Sequence, residues 1–360
     1  MPRRVAIVGA GLTRTSSHRT DVTYPELVYE AVSAALEQAG LQASDIDAVT
    51  YGSMDPFDGI FAPERWNVEA CAGAGAARRP LMKITTGGTT GGSTALAGYY
   101  HVASGLFDVV LAVASQRVGE TLEAQLVLNT AVDPIYERWM GAGAITIAAL
   151  QGVRHFWRYG TTEEDLALIA VKNYENAGRN PNAHLMRMLT VNDALNTRLV
   201  AWPLRLSDCC PSSDGAVAII FASEERARKI ADRPAWVIGA GQITDNYWMG
   251  DRTWYEHWDS LSMLARRVYR QAKIENPLAE LDVAELYNAF TIQEIIEYEA
   301  LGFCEKGEGA ELIRKGITTM GGELPVCPSG GVLCTNPIGA SGLIRVAEAG
   351  LQVMGRAGEM

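Results

Sequence analysis

Four apolar runs bounded by polar or turn residues punctuate the chain: "RRVAIVGAG" (3–11), "DAVTYGS" (47–53), "DVVLAVAS" (108–115) and "AVAIIFAS" (216–223). They read as strands. Between them lie segments with apolar positions at helical spacing, such as "YPELVYEAVSAALEQAG" (24–40), so the pattern predicts a layered α/β fold. A long-range repeat runs through it. "ELVYEAVSAALEQAGLQASDIDAVTYGS" (26–53) resembles "SMLARRVYRQAKIENPLAELDVAELYNAF" (262–290): a helix, a polar loop with Asp, then a buried strand ending in Tyr51 or Tyr287. Each copy leads into a glycine-rich turn and a helix, "GGTTGGSTALAGYYHVASG" (87–105) and "SGGVLCTNPIGASGLIRVAEAGLQ" (329–352), which predicts two equivalent halves.

The stretch from Arg117 to Ser207 breaks this pattern. It is richer in Trp, Tyr, Asn and Arg and is expected to form a loop subdomain over the core, where binding residues concentrate. The aromatic patch "DNYWMGDRTWYEHWD" (245–259) either covers a core edge or subunit contact, or walls a pocket for a bulky apolar substrate.

Composition narrows the function. At 360 residues with 48% hydrophobic content, the chain can fill one large core or two of average size. A net charge of −11, with no segment of clustered Lys and Arg, argues against a nucleic-acid surface. "VAIVGAG" is too short for a signal sequence and no apolar run reaches the ~18 residues of a membrane span, so a cytoplasmic protein is expected. The six cysteines (71, 209, 210, 304, 327 and 334) form no C-x-x-C pair and have no His at metal-ligand spacing, which fits reduced thiols.

Most local motifs have a structural reading. "VGAGLTRT" has Arg14 where a dinucleotide-binding turn needs its third glycine, so a structural turn is expected. "DCCPSSDGAVAIIFAS" predicts Cys209 and Cys210 packed at a strand entrance, with Asp214 accepting backbone N–H groups. None of the five histidines lies in a glycine-rich turn, and none stands out as a base. "AELYNAFTIQEIIEYEALGFCEKGEG" carries the strongest signal. Tyr287 and Asn288 end a strand, and a helix begins at Thr291, whose hydroxyl is expected to cap it.

At these residues the sequence resembles the thiolase superfamily, and within it the sterol-carrier-protein-type thiolases and thiolase-like lipid-transfer proteins. The resemblance covers essentially the whole chain. "VAIVGAGLTRT" is similar to the opening strand and "YGSMDP" to the end of the second. "GGTTGGSTALAGYYHVASG" resembles the nucleophile turn, and "DCCPSSDGA" a mid-chain turn. "ELYNAFTIQEIIEYEALGFCEKGEG" stands for the motif that usually begins His-Asp, and "PVCPSGGVLCTNPIGASGLIRVAEA" for the Gly-His-Pro turn. The resemblance implies a thiolase fold: two similar α/β/α halves in a five-layered α-β-α-β-α core plus a loop subdomain, assembled as a dimer. It places the N-terminal half at 1–116 and 208–225, the loop subdomain at 117–207 and the C-terminal half at 226–360. The sequence ends at Met360, before the segment that in the family holds a glycine-rich strand and a second catalytic Cys.

The catalytic positions depart from the family. Thr89 stands where the resemblance puts the nucleophilic Cys, and a Thr hydroxyl without an adjacent base is a poor nucleophile. Asn336 stands where the Gly-His-Pro turn has its His, and Asn cannot take a proton near neutral pH. Tyr287 replaces the His of His-Asp. Cys334, two residues before Asn336, is the one alternative thiol considered as a displaced nucleophile. A thiolase fold without its Cys still offers an acyl-CoA groove and helix N-terminal amides for an enolate, which suits retro-aldol cleavage.

The resemblance to thiolase-like aldolases of steroid side-chain degradation therefore implies a carbon–carbon lyase acting on a β-hydroxyacyl-CoA, with a steroid-like side chain the best guess. Tyr287 is its expected acid/base, Asn336 and Thr89 orient the thioester, and Tyr247 of the aromatic patch is a weaker candidate. Asn288 and the backbone at Gly88, Gly331 and Gly339 are expected to bind substrate. No cofactor is expected beyond the CoA thioester itself. The implied partner is a zinc-ribbon/OB-fold (DUF35-type) protein that carries any zinc, in a heterotetramer of two copies of each chain. Acyl transfer by a substitute nucleophile and a non-catalytic acyl-CoA-binding scaffold are the alternatives.

Overall fold

A computed structural model describes residues 3–58, 68–121, 123–246, 248–252 and 254–360. Its centre is a six-stranded sheet in the order β3-β2-β4-β7-β1-β8. The strands are β1 (Val5–Leu12), β2 (Ala48–Gly52), β3 (Leu81–Ile84), β4 (Val109–Arg117), β7 (Asp214–Ser223) and β8 (Ala235–Trp236). β5 (Leu199–Ala201) and β6 (Leu204–Arg205) form a separate two-stranded ribbon. β2 runs parallel to β3 and β4, whereas β7 is antiparallel to both β4 and β1.

Both faces of the sheet are covered, which explains why the central strands are apolar throughout. Along β4, Val109, Leu111 and Val113 enter one core, and Val110, Ala112 and Ala114 the other. The first core is closed by helix α1 (Tyr24–Ala39), with Leu27, Val28, Ala31 and Ala35 buried on one stripe. The sequence marks its ends. Thr23 and Glu26 form a capping box, with the Thr23 N–H donating to Glu26 Oε2 at 2.8 Å, and Gly40 at φ 65° closes the last turn. Gly11 of β1 has no room for a side chain, because a Cβ there would run into the Ala31 carbonyl of α1. The "VGAG" run is thus structural, but it is a stretch of strand β1 packed on α1 and not the turn expected from its sequence.

The second core is closed by α2 (Thr90–Ala103) and α7 (Ile338–Met354), the latter burying Leu343, Ile344, Ala347, Leu351 and Met354. Each fully buried Leu, Ile or Met is worth about 1.5–3 kcal/mol, so α7 is firmly held. The two helices touch backbone to backbone at their first turns: a Cβ on Gly91 would stand 2.5 Å from Leu343 N, and one on Gly342 2.6 Å from Gly92 N. Gly91→Ala is therefore expected to force α2 and α7 apart, costing about 1–3 kcal/mol in urea unfolding. An unchanged midpoint would show that the crossing tolerates a methyl group.

The interval from 117 to 207 is more ordered than a loop subdomain. It contains helices α3 (Ala144–Tyr159) and α4 (Glu163–Ala177), which share a third core with α6 (Thr291–Ala300). α5 (Asp259–Ala272) flanks this region. The second copy of the repeat differs from the first. Where residues 48–52 form a strand with two neighbours, the described residues of 283–288 make a single parallel bridge, Ala284 to Val326. Pro325 and Pro328 bracket the partner residues and have no N–H with which to extend a ladder.

Candidate active site

The first turns of α2 and α7 open together into a cavity of about 840 Å³. Four of the expected site residues line it: Gly88 and Thr89 before α2, Asn336 before α7, and Tyr287 from the loop that leads into α6. Tyr287 faces the α2 turn, since a Cβ on Gly88 would lie 3.9 Å from its phenol oxygen. The fold thus brings residues from both halves to one point.

Thr89 is chemically committed. Its hydroxyl donates to Thr86 O at 2.7 Å, while neighbouring Thr90 accepts from Thr86 N and donates to Gly87 O. These bonds build the turn and present no base to the Thr89 oxygen. Asn336 is held at every polar atom. Its backbone N–H donates to Ser213 Oγ at 3.1 Å, its Oδ1 accepts from Ser341 Oγ at 2.7 Å, and its Nδ2 points at Cys210 Sγ, 3.1 Å away. Behind it, His184 Nδ1 meets Ser213 Oγ at 2.9 Å, and burial lowers the pKa of this imidazole.

Cys210 is the residue that sequence reading misplaces. It lies not merely at a strand entrance but on the cavity wall, in a segment stitched to the Tyr287 loop by Cys210 N to Ala289 O (2.9 Å) and a Cys209–Phe290 bridge. Burial pushes its thiol up to about 12, against the opposing hydrogen bond from Asn336, so it is not a thiolate at neutral pH. Burial also raises the Tyr287 phenol well above its usual value; Cys210 adds to this, and Arg345 and a hydrogen bond with Ser341 oppose it. The Tyr287 phenol therefore keeps its proton through the neutral range. Cys334 is fully buried, does not line the cavity, and burial raises its thiol too.

The other expected substrate-binding residues do not line the cavity. Asn288 is fully buried, its Oδ1 accepting from Val332 N (2.7 Å) and its Nδ2 donating to Glu294 Oε2 (2.6 Å) and Asn173 Oδ1 (3.2 Å). Gly331 is pressed against that amide, and Gly339 against Gln116 Oε1. These three hold the walls in place. Thr291 does begin α6, but its hydroxyl donates to Asp208 Oδ1 at 2.9 Å instead of capping the helix. Asp214 accepts backbone N–H groups as expected, from Arg19 at 2.9 Å and Gly119 at 2.7 Å. Tyr247 lies outside the described residues. From the same aromatic patch, Asp245, Arg252 and Trp258 line the cavity.

Among the described residues there is no cluster of three His, Cys, Asp or Glu able to hold a metal, and no helix long and apolar enough to cross a membrane. The arrangement is a two-half cavity with paired helix N-termini and a protonated tyrosine, and among the described residues no activated nucleophile lines it.

Comparison with known proteins defines the class. Residues 5–191 match the thiolase N-terminal domain family and residues 242–360 the thiolase C-terminal domain-like family. The chain belongs to the thiolase superfamily, and its fold is the thiolase fold. It is 34% identical to an acetyl-CoA acetyltransferase of Methanothermobacter thermautotrophicus, over 99% of this chain and 92% of that protein. It is 33% identical to the 17-hydroxy-3-oxo-4-pregnene-20-carboxyl-CoA lyase of Mycobacterium tuberculosis, over 92% of this chain and 86% of that one. Among solved structures it resembles the Ltp2-ChsH2(DUF35) aldolase, with a TM-score of 0.82 and 27% identity over 99% of this chain and 91% of that chain.

Proposed function

We propose that this protein is a carbon–carbon lyase that cleaves a β-hydroxyacyl-CoA by a retro-aldol reaction, working with a zinc-ribbon/OB-fold (DUF35-type) partner. The observation that carries the reading is the chemistry of the cavity. Thr89 spends its proton on Thr86 O, and the Cys210 thiol is pushed up to about 12, while the protonated Tyr287 stands beside the α2 turn. Acyl transfer needs an activated nucleophile; a retro-aldol step does not. In that step the Cα–Cβ bond breaks, its electron pair passes into the thioester as an enolate, and the β-oxygen becomes a carbonyl. The enolate oxygen is stabilised between the N-terminal ends of α2 and α7, whose dipoles both favour negative charge. Tyr287 delivers its proton to Cα in concert with bond cleavage, and the β-hydroxyl proton passes in the same relay to the phenol oxygen, so the tyrosine ends the step protonated as it began. The lyase and aldolase relatives support this chemistry, and the named substrate of the lyase makes a steroid-like acyl group the first to try.

Acyl transfer is the second reading, favoured by the acetyltransferase relative. Mass spectrometry of the intact protein after incubation with acetyl-CoA and with a β-hydroxyacyl-CoA separates the two. The lyase reading expects a free carbonyl product and a shortened acyl-CoA from the reconstituted complex, with no adduct on the chain. An acyl adduct on Cys210, Cys334 or Thr89 would overturn it.

A further inference from the structure

Among the described residues, three that line the cavity have charge-bearing side chains: Asp245, Arg252 and Glu297. Asp245 and Arg252 pair with each other, 3.5 Å apart. Among the described residues Glu297 has no such partner. It is 6% exposed, and its Oε2 is buried without any hydrogen bond. An unpaired buried carboxyl costs free energy on the order of 1–3 kcal/mol or more, which an apolar side chain at the same place would avoid. Its surroundings make the cost plain, since Leu261, Leu264, Phe290, Ile145 and Trp258 line the same cavity. Gln293, one helical turn earlier on α6, lines it as well, so two polar side chains occupy one stripe of an otherwise apolar wall.

We infer that Glu297, with Gln293 beside it, is a specificity-determining residue that hydrogen-bonds an oxygen, hydroxyl or keto, on the distal part of the acyl group. The position on α6 sets the reach. Glu297 lies about 9 Å along the helix axis from Thr291, which follows the Tyr287 loop directly, so the recognised oxygen sits on the order of 10 Å from the reacting carbons. The acid form suits the role. Burial, with Glu294 nearby, pushes this carboxyl well above the usual carboxylate range, so it can both donate and accept. The substrate class thus becomes an acyl-CoA with a bulky apolar body and a remote oxygen. This rests on the reading of the cavity as an acyl-CoA groove, but not on the cleavage chemistry.

The test is binding, by calorimetry on the 360-residue chain, of two acyl-CoA series from octanoyl to hexadecanoyl. One series ends in methyl and the other in an ω-hydroxyl. At one chain length the hydroxylated ligand is expected to bind on the order of tenfold tighter than its methyl-terminated twin, because only it satisfies the buried acid. Glu297→Leu is expected to reverse that preference without lowering the urea midpoint, and Glu297→Gln to keep part of it. Equal affinities at every length in the wild-type chain, which needs no variant to fold, would overturn the inference. Binding of neither series would instead overturn the acyl-CoA groove, and cleavage of a β-hydroxyacyl-CoA lacking any distal oxygen reads the lyase function separately.

Discussion

Replacing Tyr287 by Phe is expected to lower kcat for cleavage of a β-hydroxyacyl-CoA by the reconstituted complex roughly 10²–10⁴-fold, the range associated with a positioned proton-transfer group. The ring still fills its place between the α2 turn and the Cys210 segment, so KM is expected to move little and the fold to hold. The phenol carries this effect because none of the described residues beside the α2 turn offers another mobile proton. Thr89 donates to a carbonyl, Asn336 is an amide, and Cys210 holds its proton beneath the Asn336 amide. Since burial raises the Tyr287 pKa, the proton-donating form persists through the neutral range, and the wild-type rate is expected to hold until pH has climbed beyond the ordinary tyrosine value of about 10. Full activity in Tyr287→Phe would remove the residue from the mechanism. An alkaline limb near neutrality that survives in the variant would assign that titration to another group.

The largest expected loss of stability comes from Lys172→Met. Lys172 on α4 and Glu294 on α6 form a buried ion pair, with side chains 3% and 0% exposed, and the ammonium also donates to Val326 O at 3.0 Å. Glu294 accepts further from Asn173, Asn288 and Tyr298. Removing the lysine leaves a carboxylate without its countercharge in the third core, at a cost of about 3–5 kcal/mol in urea unfolding. Adding Glu294→Gln is expected to recover most of the loss, which distinguishes an uncompensated charge from a simple cavity. If Lys172→Met costs less than about 1 kcal/mol, the pair does not join the 117–207 interval to the second half. Because Asn288 hangs on the same carboxylate and adjoins Tyr287, the single variant is also expected to lose activity beyond its loss of stability.

How much of this is legible in the chain depends on how far apart the determinants lie. β1, β2, β4, β7 and α1 follow from local apolar runs, a capping box and a terminal glycine, all within a few residues of one another. The thiolase turns are equally legible because each is a contiguous motif, and they brought Thr89, Gly88, Tyr287 and Asn336 to one cavity. The second half was harder to read. Residues 283–288 have the same apolar pattern as a full strand, yet the prolines that limit their pairing sit some 40 residues later, at 325 and 328. Asn288 looks like a binding residue from its position, but its partners Glu294, Asn173 and Val332 come from three different segments. Cys210 and Glu297 were invisible for the same reason: a thiol beside Asn336 and an unpaired acid in an apolar wall are properties of packing, not of spacing.

The backbone crossing of Gly91 with Gly342 also governs when the site can exist during folding. The six strands of the central sheet, with α1 and α2, all lie before residue 237, but the α7 side of the cavity arrives only with residues 338–354. Closing so long a loop is slow and entropically costly. A chain whose central sheet is complete and whose residues 338–354 are still loose would look largely folded, yet it would lack one wall of the cavity. Activity in this protein therefore reports completion of the whole chain's folding, not of either half.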